Sequence, residues 1–242
     1  VCGDYYDSVD IGDGCFGVIV GDVSGKGTSA AFYMAELKGI FQSASKLTRS
    51  PAEFLVRANE ALAGSLGKNA FITAVYGVLD PEAGTFTVAR AGHCPVALAR
   101  SGGPVELIRS GGLGLGLDRG PLFQKALQER ELRLHPGDVF VLYTDGLTET
   151  RDRQGEEYGY ERLQEAIGRH RHREPDALRD ALLHDLRRFA GHAATDAPDD
   201  DLTLVVLKWA GVPARTAPSG DGAAHVTRPT PAPDVASEPT SA

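Results

Sequence analysis

The chain has 242 residues, 42% hydrophobic and 24% charged, which suits one globular domain with a full core. An excess of 33 acidic over 25 basic residues gives a formal net charge of −8 and argues against nucleic acid as a partner. Cys2, Cys15 and Cys94 follow no disulfide or metal spacing, no run approaches the ~18 apolar residues of a membrane span, and no signal peptide opens the chain. Together these point to a reducing, cytoplasmic setting without membrane insertion by this segment.

In chain order, Val1 to Asp7 starts abruptly and without Met, as expected of a fragment of a longer protein. Ile11-Gly12-Asp13-Gly14 carries the Asp-Gly signal of a hairpin, and Cys15 to Val20 reads as a buried strand. Antiparallel pairing across that hairpin would set Asp4 beside Asp22. Tyr5 and Tyr6 are expected to pack against the sheet. Ala30, Met34, Leu37, Phe41 and Ala44 then recur at helical spacing over about 28–47. Ser50-Pro51 opens a second amphipathic helix through Leu55, Ala58, Leu62 and Leu66.

From Ala70 the period changes to that of strands, expected at 70–79 and 85–91, with a hairpin through Ser101 to Pro104. Gly111 to Gly120 is glycine-dense and irregular. Strands are expected at about 123–133 and at Val139 to Tyr143, the latter running into Thr144-Asp145-Gly146. Helices follow at about 159–168 and 176–190, separated by the basic run Arg169 to Arg173, which reads as a solvated face. Leu202 to Leu207 is a last core strand. Residues 1–211 form one domain, and 212–242 are too rich in Pro, Ala, Ser and Thr to order themselves.

Aspartates therefore recur at strand boundaries: Asp4, Asp22, Asp145 and the run Asp199 to Asp201. Carboxylates gathered at one sheet end repel one another unless divalent metal sits between them, and all-oxygen donors select Mg²⁺ or Mn²⁺. Singly, each is better read as a common turn residue. Gly25-Lys26-Gly27-Thr28-Ser29-Ala30 also fits a dinucleotide fingerprint. That reading fails further on, because a second strand ending in an acidic residue is required and two successive helices follow instead.

Gly3-Asp4-Tyr5-Tyr6-Asp7, Gly21-Asp22-Val23-Ser24-Gly25-Lys26-Gly27, Ala91-Gly92-His93, Leu142-Tyr143-Thr144-Asp145-Gly146-Leu147-Thr148-Glu149 and Asp200-Asp201-Leu202-Thr203 stand here in one order. Together they closely resemble the bacterial branch of the PPM (PP2C-type) metal-dependent protein serine/threonine phosphatases, the group of SpoIIE and RsbU. The resemblance spans about residues 1 to 209.

It implies an α+β fold, a four-layer α-β-β-α sandwich whose N-terminal strands are truncated here. Two Mn²⁺ or Mg²⁺ ions would be held by Asp4, Asp22, the Val23 backbone carbonyl, Asp145 and Asp200, with a metal-bound water activated by Asp22 attacking phosphorus. Asp200 is preferred to Asp201 because the family's ligand is the first Asp of its block. His93 either hydrogen-bonds within its loop, the favoured role, or approaches substrate. Ser24 stands where eukaryotic relatives carry a His, and Cys94 replaces a usual Asn. The implied substrate is a phosphoprotein, an anti-anti-sigma (STAS-type) factor, with a sensor domain upstream. The competing reading is a degenerate, non-catalytic module that binds a signalling partner.

Overall fold

The computed structural model describes residues 3–25, 27–67, 70–191 and 201–211. Lys26, Asp199, Asp200 and the tail at 212–242 lie outside the described residues. Strands β1 (Asp4–Gly12) and β2 (Cys15–Val23) form the expected hairpin. Its corner uses Asp13 at φ 51° and Gly14 at φ 73°, consecutive left-handed residues whose twist matches that of the flanking strands. In register, Asp4 pairs with Asp22.

The first sheet has the order β1-β2-β3-β4-β7, with β3 at Ile72–Asp80, β4 at Thr85–Ala91 and β7 at Glu129–Arg133. The second runs β6-β5-β8-β9, with β5 at Val96–Ala99, β6 at Glu106–Ile108, β8 at Val139–Tyr143 and β9 at Leu204–Lys208. Both are antiparallel throughout.

Side-chain alternation explains why these sheets stack. In β2, Val18 and Val20 face one way and join Val75, Phe86 and Val88 against Val96, Leu98, Phe140 and Leu142 of the second sheet. Ile19 faces the other way, toward Leu37 and Phe41 of α1 (Thr28–Ala44) and Phe54 and Leu55 of α2 (Pro51–Leu62). In β8, Val141 and Tyr143 face outward to meet Leu163 and Ile167 of α5 (Gly159–His170) and Leu178 and Leu182 of α6 (Pro175–Ala190). Central strands buried on both faces lose the polar half of the usual alternation and become continuous apolar runs. Three apolar layers between four structural layers make the α-β-β-α sandwich, and each fully buried large side chain contributes about 1.5–3 kcal/mol.

Some expectations need correction. The stretch at 123–133 is not one strand: Pro121–Ala126 is helix α3, and β7 begins only at Glu129. Pro121 at its first turn and the buried Phe123 start a helical turn there. The first long helix ends at Ala44 and finishes in a 3₁₀ turn at Ser45–Leu47. A single helical turn not anticipated from sequence, α4, covers Asp145–Thr148. Tyr5 packs edge-on against Phe41 at 6.4 Å between ring centroids, but Tyr6 faces solvent.

The basic run is tied down at two points rather than simply solvated. Arg169 pairs with Asp185 at 3.3 Å. Arg171 Nη1 donates to the carbonyls of Arg100 and Gly103, each at 2.8 Å. Among the described residues no helix is long and apolar enough to cross a membrane.

Candidate metal centre

Hairpin register sets the first pair of carboxylates. Asp4 opens β1 and Asp22 lies one residue from the end of β2, so both reach the same end of the first sheet. At the facing end of the second sheet, Asp145 follows β8 and Asp201 precedes β9. Asp4, Asp22, Asp145 and Asp201 line one cavity of about 140 Å³ with Gly3, Val23, Ser24 and Gly25. A larger cavity of about 280 Å³, bordered by Asn59, Glu60, Arg119 and Gln124, holds no such carboxylate group.

Local contacts shape this cavity. Gly3 lacks a side chain where one would press against Val23 O at 3.2 Å and Asp22 Oδ1 at 3.3 Å, so β1 lies close over the corner after β2. Val23 N donates to Gly3 O at 3.1 Å, and Gly3 N donates to Asp201 Oδ2 at 2.6 Å. The turn past Val23 is fastened to β3 by reciprocal bonds: Ser24 N donates to Phe71 O at 2.9 Å, and Phe71 N donates to Ser24 Oγ at 2.8 Å. Ser24, in the place of the eukaryotic histidine, holds the loop.

Electrostatics at the cavity are dominated by burial, with the neighbouring carboxylates adding a smaller contribution. Burial raises the Asp4 carboxyl above its ordinary value, and the charges of Asp201 and Asp145 push the same way. Hydrogen bonds from Thr144 and Thr203 oppose them. Among the described residues no three His, Cys, Asp or Glu side chains are drawn tightly enough together to hold an ion by themselves. The donor chemistry nevertheless fits a hard divalent cation, with carboxylates and a backbone carbonyl around a small polar cavity kept open by Gly3.

His93 does not line the cavity. It is buried, with Nδ1 2.8 Å from Thr73 Oγ1 and Nε2 without a hydrogen-bond partner. Burial drives its pKa down to about 3, with the Tyr143 backbone opposing and the Arg90 charge pushing the same way as burial. The imidazole is therefore neutral at physiological pH. Asp200 lies outside the described residues, whereas Asp201, not chosen from sequence, borders the cavity and braces Gly3. Thr144 was also missed, because a threonine before an aspartate carries no signal of its own.

Two antiparallel sheets stacked between helical pairs, with carboxylates meeting at one end, define a PP2C-type phosphatase domain. The SiaA-PP2C domain of Pseudomonas aeruginosa shares this fold with a TM-score of 0.75 at 19% identity, over 86% of this chain and 81% of that one. Residues 12–210 match the family model described as Stage II sporulation protein E (SpoIIE), and the chain belongs to that family. Phosphoserine phosphatase RsbU of Bacillus subtilis (strain 168) is 30% identical over 218 residues, 85% of this chain and 59% of RsbU. Protein IcfG of Synechocystis sp. is 26% identical over 235 residues, 86% of this chain and 36% of IcfG. The chain thus spans less than two thirds of either curated relative.

Proposed function

We propose that the chain is a metal-dependent protein serine/threonine phosphatase that hydrolyses a phosphoserine or phosphothreonine ester. The observation that carries this is the convergence of Asp4, Asp22, Asp145 and Asp201 on one cavity beside Val23, fed by the ends of both sheets. Asp4, Asp22, Asp145 and Asp200, with the Val23 carbonyl, would hold two Mn²⁺ or Mg²⁺ ions. Such ions supply Lewis-acid polarisation of phosphoryl oxygens and make water nucleophilic at neutral pH.

The chain's own residues do the positioning. Asp22, at the corner between β2 and the glycine turn, would hold the metal that makes the attacking water nucleophilic and help orient that water. Among the described residues bordering the cavity, Ser24 carries the one hydroxyl, and its Oγ accepts from Phe71 N. Its place in the loop supports water over a side chain as the nucleophile. His93, buried and neutral, fixes its loop through Thr73 and does not touch substrate.

The substrate we assign is a phosphorylated anti-anti-sigma (STAS-type) regulator, with an upstream sensor domain in the full-length protein and a cytoplasmic setting. Support comes from kinship with a phosphoserine phosphatase at 30% identity. Mn²⁺-dependent hydrolysis of p-nitrophenyl phosphate, compared with D22N, tests the chemistry. Turnover that D22N abolishes is expected; a folded chain without turnover at saturating Mn²⁺ overturns the assignment. Faster release of phosphate from a phosphorylated STAS domain than from an unrelated phosphoprotein tests the substrate, and equal rates overturn it.

A further inference from the structure

We infer that Thr144 is a positioning residue of the metal centre: its hydroxyl aims the Asp4 carboxylate and locks it to the strand that follows Asp201. This rests on the cavity being a divalent-metal site. Thr144 is fully buried. Its Oγ1 donates to Asp4 Oδ2 at 2.7 Å and accepts from Thr203 N at 2.9 Å, while Thr144 N donates to Thr203 O at 3.1 Å.

The direction of that hydroxyl is forced. A backbone N–H can only donate, so Thr203 occupies an acceptor position on Oγ1, and the single hydroxyl proton is left for the carboxylate. Threonine is also stiff at χ1 because of its β-branch. The Oγ1 position is therefore held by the side chain's own geometry and by the β8–β9 connection at once. Asp4 belongs to the first sheet and Thr144 directly follows β8 of the second, 140 residues apart in sequence. This bond is a direct side-chain link between the two halves of the cavity, and Gly3 N to Asp201 Oδ2 is a second. A carboxylate held from behind in this way presents one orientation to an incoming cation. Partners of metal-ligating groups typically alter metal affinity or activity about 10–100-fold when removed.

A merely structural Thr144 would stabilise the β8–β9 connection without affecting metal uptake. The test uses the whole 242-residue chain and Mn²⁺ alone, read by calorimetry, with circular dichroism to verify folding. T144V keeps the shape and removes the hydroxyl, and it is expected to weaken Mn²⁺ binding about 10–100-fold. T144S, which restores the hydroxyl, is expected to recover most of that loss. In a D4N background, T144V should have little further effect, because its route to the metal is already gone.

Wild-type affinity in folded T144V overturns the inference, as does an equal loss in the D4N background. If T144V does not fold, T144A is measured in its place; failure of both to fold assigns Thr144 to structure alone. A wild-type chain that takes up no Mn²⁺ brings down the metal-site assignment itself, an outcome separate from any loss confined to the Thr144 variants.

Discussion

Strand β8 is bracketed by two aspartates in opposite situations. Asp138, before it, is buried and compensated: Arg100 Nη1 lies 2.6 Å from its Oδ2, which also accepts from His135 N at 2.9 Å. Asp145, after it, shares a cavity with three further carboxylates and adds to the field that raises Asp4. A carboxylate that serves the fold brings its cation with it, here the guanidinium of Arg100, just past the end of the neighbouring strand β5. At the proposed metal site, by contrast, carboxylates from both sheets are gathered at one cavity, an arrangement that a divalent cation would stabilise. The distinction separates architecture from chemistry within the five residues of one strand.

The strongest way to break this comparison is at the cavity. D22N should abolish Mn²⁺-dependent hydrolysis of p-nitrophenyl phosphate while leaving the chain folded by circular dichroism. A lowered melt with activity retained would place Asp22 with Asp138, among the structural carboxylates. At the other end, R100A should do the reverse. It leaves Asp138 buried without its cation and should cost about 3 kcal/mol of stability by urea unfolding. Activity per folded molecule should be unaffected.

His93 sharpens the comparison with a group buried in its neutral form. Its folded pKa of about 3 lies below the ordinary 6.5, so between those values the unfolded chain binds the proton and the folded chain does not. Stability must therefore fall as pH drops from about 6.5 toward 3, with a slope of up to about 1.4 kcal/mol per pH unit from this residue. Urea midpoints across that range check it, and H93Q should flatten the profile. The smallest effect is expected far from either aspartate. Ser50 caps α2, accepting from Glu53 N at 3.1 Å and donating to Glu129 Oε2 at 2.6 Å. S50A should cost about 1 kcal/mol and leave Mn²⁺ affinity untouched.

Much of the fold was legible because its signals are local. Asp13-Gly14 determines the first hairpin's corner, and the corner determines that Asp4 lies opposite Asp22. Ser50-Pro51 marks the start of α2 to the residue. Where local signals compete, the outcome was not legible: the stretch at 123–133 divides between α3 and β7. Phe123 is drawn into the first core layer, whereas β7 extends the sheet beside β4. The exposure of Tyr6 follows from strand parity, since Tyr5, its neighbour, takes the face toward Phe41.

By itself the sequence determined the PP2C-type class, most but not all of the elements, and three of the carboxylates that border the cavity, Asp4, Asp22 and Asp145. Each of these lies in a block of adjacent residues whose geometry is set within a turn or a hairpin. Only the tertiary structure decided that Asp201 borders the same cavity, that Thr144 grips Asp4, and that His93 is buried behind Thr73 rather than open to it. Those relations join two sheets through contacts between distant parts of the chain, and no periodicity or spacing carries information about which hydroxyl will meet which carboxylate once the sheets stack.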